Sequence, residues 1–333
     1  MKRRFIFFAL FAWCVPAGAH EIRVLLDHIS QGDLHVEVPE GGFTVTRQDG
    51  QIPVSQEGAL RVADGLIVTS NDGRHLYWRG KPYRGRLEVT RMPDGRMGLV
   101  NVLDIEDYLY GVLASEVDTK TWPMEALKAQ AVASRSYALH KIGMDPLASF
   151  NIGTKSSHQV YWGAGVEDTR AKEAVDETRG LVLLDDQGAV VAGYFHSCCG
   201  GRTEDIRDVW GGSVNNIISV SDFGSCQMSP HYSWATTLPL AELGAVLRRL
   251  GYTFHEPIKS FLIGEMTKSR RVLNFKVITA NGRLIVPAER LRQALGPNWM
   301  KSTKLTQIQF KNGRFVIHGN GWGHGVGLCQ WGA

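Results

Sequence analysis

The sequence predicts an α+β protein: a β-rich N-terminal part, a helical core and a mixed α/β C-terminal part around a cleft. Three observations point there. Short β-branched or alternating runs, separated by turn dipeptides, fill residues 21–103. Apolar residues at 3–4 spacing take over from 104 to 140. Strands and helices then return, and the chain ends in a stretch too rich in glycine for either. The expected boundaries are 1–19, 20–100, 101–235 and 236–333.

The first segment is basic at Lys2, Arg3 and Arg4, apolar over 5–15, and closes on Ala17-Gly18-Ala19. This is the pattern of a secretory signal peptide cut after Ala19. The apolar run is short for a membrane span, so an uncleaved anchor is the alternative. The formal charge of +4 falls by three to +1 once this segment is removed, which leaves a nucleic-acid partner no electrostatic support. Cleavage also removes Cys14 and leaves Cys198, Cys199, Cys226 and Cys329. In an oxidising compartment these permit up to two disulfides. Cys198 and Cys199 are adjacent and poorly placed to pair with each other, so a bond from one of them to Cys226 is the most economical expectation.

The β-rich part reads as IRVLL, LHVEV, FTVTR, LRVA, LIVTS, LYWRG and RLEVTR, separated by Asp49-Gly50, Asp64-Gly65, Asp72-Gly73 and Asp94-Gly95. Asp104 is placed to cap a helix carrying Ile105, Tyr108, Leu109, Val112 and Leu113. That helix ends near Glu116, where the helix dipole disfavours negative charge. A second helix starts near Pro123, with Glu125 at its favoured end. Small residues line two of its faces, Ala126, Ala129 and Ala133 on one and Ala131, Ser134 and Ala138 on the other, so it is expected to be buried. GLVLL and AVVAGYFHS read as strands. Residues 238–250 and 288–295 read as helices, with a hairpin between them through Asn281-Gly282.

Several catalytic signatures are missing: no G-x-S-x-G, no H-E-x-x-H, and no P-loop or dinucleotide fingerprint leading into a helix. Three constellations remain. One is Glu116, with Lys128 and Arg135 in the next helix. Another is YFHSCCGGRTE, and the third is the terminal glycine loop with His324 and Gln330.

The blocks NVLDIEDYLYGVLASEV, WPMEALKAQAVASRSYAL, HQVYWG, YFHSCCGGRTED and GWGHGVGLCQWGA lie in order from 101 to 333. Together they resemble the stage II sporulation protein D (SpoIID/LytB) family. The resemblance implies an exported cell-wall protein acting on peptidoglycan glycan strands. One branch of the family comprises lytic transglycosylases, which cut between N-acetylmuramic acid and N-acetylglucosamine. The other is described as enhancers of a wall amidase. The carboxylate of the family's Ser-Glu step falls on Glu116, the implied acid/base of a helical catalytic core. Gln159 and Tyr161 match a Gln-Val-Tyr step and are expected to contact sugar. Lys128 and Arg135 are expected either to orient Glu116 or bind the muramyl lactate, or else to be ion-pair partners. His324 and Gln330 line the cleft or satisfy buried backbone.

No cofactor is expected. The zinc loop that some members carry before Gln-Val-Tyr is reduced here to His158. His196, Cys198, Cys199 and Cys226 form a zinc alternative to the disulfide. A Cys329 nucleophile with His318 or His324 is a third class of reading. Family chains continue past the final Gly-Ala step into a further helix, whereas this sequence stops at Ala333, so a truncated end lacking the last packing layer is one expectation.

Overall fold

The computed structural model describes residues 13–14, 20–29, 33–37, 42–47, 50–51, 59–61, 63–211 and 217–333. Apart from Trp13-Cys14, the expected signal peptide lies outside them, as does Asp49 of the first turn. The chain divides into two compact units, Met1–Gly193 and Tyr194–Ala333.

The first unit is built on a seven-stranded sheet. Its order is Ile152–Gly153, Glu21–Ile29, Met97–Asp104, Arg86–Arg91, Leu66–Ser70, Phe43–Arg47 and Gly50–Gln51, antiparallel throughout except at the first pair. A second sheet joins Ala59–Arg61, Asp33–Glu37, Leu76–Trp78 and Lys81–Tyr83. All seven expected strands are present. Met97–Asp104 is buried on both faces between Gly98 and Leu103, because that run is apolar except for Asn101. That amide is fully engaged: Nδ2 donates to the carbonyls of Arg84 and Arg86, and Oδ1 accepts the Tyr161 hydroxyl.

This strand runs directly into α1 (Ile105–Glu116), and Asp104 accepts the Glu106 amide at 2.8 Å to cap it. α2 (Met124–Met144) follows, then α3 (Thr169–Glu177), and the three helices pack together. α2 is buried on more than one face, with every residue from Ala133 to Ala138 inside. Ala129 is the exception to the expectation and faces solvent.

The second unit holds two antiparallel three-stranded sheets. One is Ser233–Pro239, Arg314–Asn320 and Leu305–Lys311; the other is Ser260–Ile263, Asn274–Thr279 and Gly282–Pro287. The expected hairpin is present, turning on Ala280-Asn281, since Thr279 pairs with Gly282. Helices Ile206–Trp210, Leu240–Arg249 and Ala288–Leu295 complete it, numbered α4 to α6. Leu243, Leu247 and Leu291 meet Phe261, Phe275 and Phe315 in one core.

Two expectations are corrected. GLVLL and AVVAGYFHS yield only Leu181–Val182 and Phe195–His196 as strands. Two backbone groups of GLVLL meet α2 side chains instead: the Leu183 amide donates to Ser136 Oγ, and the Leu181 carbonyl accepts from Arg135. Residues 194–235 also group with the C-terminal unit rather than with the helices. Phe195–His196 pairs in parallel with Leu328–Cys329, and Cys198 bridges Trp322. The terminal glycines make this possible. A Cβ on Gly327, where φ is +76°, would stand 2.1 Å from the Tyr194 carbonyl oxygen.

Candidate active site

Glu116 closes α1, and no basic residue lies in the helix's last turn. Its carboxylate reaches the segment after Ile152–Gly153, where Oε1 accepts the Val160 amide at 2.6 Å. Burial pushes the carboxyl up to about 7, and the Val160 hydrogen bond opposes part of that rise. No charged side chain contributes to the shift. Desolvation is the largest cause of the raised value.

The Gln-Val-Tyr step explains how the amide is held. Gln159 is 0% exposed; its Oε1 accepts the Tyr108 hydroxyl and its Nε2 donates to the Ser134 carbonyl. The Tyr161 hydroxyl donates to Asn101, and its ring tilts against Tyr108 at 5.1 Å between centroids. Both side chains point into the core and are spent there, so they are not sugar contacts. Their anchoring aims the intervening Val160 amide at Glu116. Gly111 lets the segment lie this close to α1: a Cβ there would stand 2.8 Å from the Tyr161 ring and 2.9 Å from the Gly163 carbonyl oxygen. The next residue, Trp162, is 52% exposed, with Lys81 Nζ 4.2 Å from its ring centroid.

Lys128 and Arg135 fall on the ion-pair side of their two readings. Lys128 is held by Glu125 at 2.8 Å and Glu177 at 2.6 Å. Arg135 is 1% exposed and makes a bidentate pair with Glu106 at 2.8 and 2.7 Å, while also donating to the Val175 and Leu181 carbonyls. Neither is available to orient Glu116 or to bind lactate.

In the second unit, His324 Nδ1 accepts the Val326 amide, and burial pushes its imidazole down to about 3. Its ring lies 4.9 Å from Trp210 and 5.7 Å from His196. Gln330 is buried. His196 does not join the cysteines; its Nδ1 faces the Val326 carbonyl. The four cysteines are buried free thiols, and the expected disulfide is not formed. Cys199 and Cys226 Sγ stand 3.6 Å apart, against about 2.05 Å for a bond. Among the described residues, the metal-donor group around Cys329 holds Cys199, Asp222 and Cys226 and no histidine.

Sequence reasoning missed four residues. Val160 and Trp162 were visible only as neighbours within HQVYWG. Glu106 looked like an ordinary first-turn carboxylate, and Asp222 carried no signal at all.

Two family models match parts of the chain. A family model described as Stage II sporulation protein (SpoIID) matches residues 93–184, the stretch that carries Glu116 and Val160. A domain of unknown function (DUF8618) matches 211–327. An uncharacterized protein of Brachyspira hyodysenteriae is 35% identical over 285 residues, 85% of this chain and 73% of that one. The chain belongs to the SpoIID family. This SpoIID-family chain is also 27% identical to the amidase enhancer of Bacillus subtilis, over 68% of its own length and 37% of the enhancer's. Its identity to the stage II sporulation protein D of Bacillus subtilis is likewise 27%, over 70% of this chain and 68% of that one.

Proposed function

We propose that this SpoIID-family protein is an exported peptidoglycan lytic transglycosylase that uses Glu116 as both acid and base. The observation that carries the reading is a single half-buried carboxyl, raised to about 7, gripped by a backbone amide and influenced by no charged neighbour. Most glycosidases need two carboxyl groups, because one must activate water. A transglycosylase needs only one, because the sugar's own 6-hydroxyl is the nucleophile. With Val160 on Oε1, Oε2 is the oxygen that carries the proton. It protonates the glycosidic oxygen as the bond from C1 of N-acetylmuramic acid breaks. The resulting carboxylate then takes the proton of the 6-hydroxyl as O6 closes on C1. The carboxyl is regenerated, no water is consumed, and a 1,6-anhydro end is left.

The test is product identity. Purified protein is incubated with sacculi and with glycan strands stripped of peptides, and new ends are identified by mass. The reading expects 1,6-anhydro-muramyl ends. Hydrated reducing ends would make the protein a hydrolase. No new ends from either substrate would favour the second reading, a wall-binding enhancer of an amidase. That reading is supported by the 27% identical relative, an amidase enhancer.

Trp162 supplies the exposed aromatic surface next to the Val160 clamp. Trp162→Ala is expected to raise KM for glycan strands about 2- to 10-fold, the worth of one aromatic contact, and to leave kcat nearly unchanged. A fall in kcat with constant KM would overturn that role. Export follows from the basic and apolar N-terminal pattern. Sequencing of protein from the envelope fraction is expected to begin at His20; retention of Met1 in membranes would mean an anchor.

A further inference from the structure

We infer that Cys199, Asp222, Cys226 and Cys329 form a structural site for one soft divalent cation, with zinc the best match. Their donor atoms all lie within 4.8 Å of one another. Around a tetrahedral zinc, neighbouring sulfur and oxygen donors stand about 3.5–3.8 Å apart, given Zn–S near 2.3 Å and Zn–O near 2.0 Å. Cys199 and Cys226 Sγ are 3.6 Å apart, and Asp222 Oδ2 is 3.0 Å from Cys199 Sγ. Small shifts would complete the coordination sphere.

Three separate segments bring these donors together. Cys199 follows the Phe195–His196 strand, and Cys329 ends the strand that pairs with it. Asp222 and Cys226 span the turn that leads into the short helix Ser225–Met228. Asp222 Oδ1 accepts the Gly224 amide and fixes that turn, which leaves Oδ2 facing the sulfurs. Backbone amides also point at the thiols: Gly201 donates to Cys199 Sγ at 3.3 Å and Cys199 to Cys329 Sγ at 3.2 Å. Such bonds support thiolate ligands as outer-shell partners do.

Four protein donors leave no open position, so the site is structural rather than catalytic. It would tie the terminal glycine loop to the 194–202 segment. A pair of disulfides, Cys199–Cys226 and Cys198–Cys329, would use all four thiols but would not account for the Asp222 carboxylate aimed at the sulfurs. Cys198 sits beside the site: its thiol neighbours Cys226 and Cys329, but it falls outside the set whose donor atoms all lie within 4.8 Å of one another. The inference does not depend on Glu116, which lies in the other unit.

The test uses the full chain with zinc and cobalt as probes. Elemental analysis of protein purified without chelator is expected to give one zinc per chain. Replacement by cobalt is expected to give thiolate-to-metal charge-transfer bands and strong tetrahedral ligand-field bands. Cys226→Ser and Cys329→Ser are expected to lose those bands, Asp222→Asn to weaken and shift them, and Cys198→Ser to retain them. If the cysteine variants do not fold, chelator titration of the wild type still decides: removal of zinc should expose three reactive thiols and lower the melting temperature. Non-reducing peptide maps showing Cys199–Cys226 and Cys198–Cys329 disulfides without bound metal would overturn the site. Loss of the bands in Cys198→Ser and not in Cys199→Ser would overturn this donor set.

Discussion

Glu116→Gln is expected to lower turnover by about 10²–10⁴-fold, the usual worth of a positioned proton donor. Gln keeps the shape and can still accept the Val160 amide, so binding to glycan strands should survive. Release of anhydro-muropeptides from sacculi, followed with time, measures the rate. Glu125→Gln is the control, because that carboxylate sits in the exposed first turn of α2 and pairs with Lys128. Equal rates for wild type and Glu116→Gln would remove Glu116 from the chemistry. Stability should move in the other direction. The Glu116 carboxyl titrates near 7 in the folded chain against an ordinary 4.5, so between those values the native state binds more protons than the unfolded one. Stability of the wild type therefore falls as pH rises through that window. Gln does not titrate, so the variant should be more stable than wild type at pH 8 and little different at pH 4. Wild-type activity should fall on the alkaline side of about pH 7, as the acid form is lost.

Arg135→Ala is expected to cost about 3–5 kcal/mol, because it leaves Glu106 as an uncompensated charge inside the helical layer. The Val175 and Leu181 carbonyls lose a donor in the same step. Urea unfolding of wild type and variant measures it. The pair as a whole should be worth far less than this. Glu106→Leu combined with Arg135→Met should recover most of the loss, because two desolvated charges are replaced by packed side chains. A stable Arg135→Ala protein with a raised KM would instead make Arg135 a substrate contact and contradict the ion-pair assignment.

Much of the fold was legible because periodicity reports burial directly. The strands of the first unit alternate, and α1 shows its 3–4 stripe and its Asp104 cap. The GLVLL stretch misled because its Leu183 amide donates to Ser136 and its Leu181 carbonyl accepts from Arg135, and such bonds to α2 leave no periodic mark. The site was half legible. Glu116 stood out as a carboxylate at the wrong end of a helix. Gln159 and Tyr161 stood out too, but sequence could not say that their side chains turn inward and leave the amide between them to act. The cysteine cluster was the least legible part. Cys199 and Cys329 are 130 residues apart, and a turn aspartate, Asp222, completes the group in place of the expected His196.

The ionisation of Glu116 can be read without knowing the substrate. The side-chain carboxyl ¹³C signal of Glu116, assigned by its loss in Glu116→Gln, is titrated by NMR in the folded protein. The proposed mechanism needs a carboxyl that still holds its proton near neutrality, and the structure predicts a midpoint near 7. A midpoint near the ordinary 4.5 would leave no proton to donate and would contradict Glu116 as the acid of the reaction.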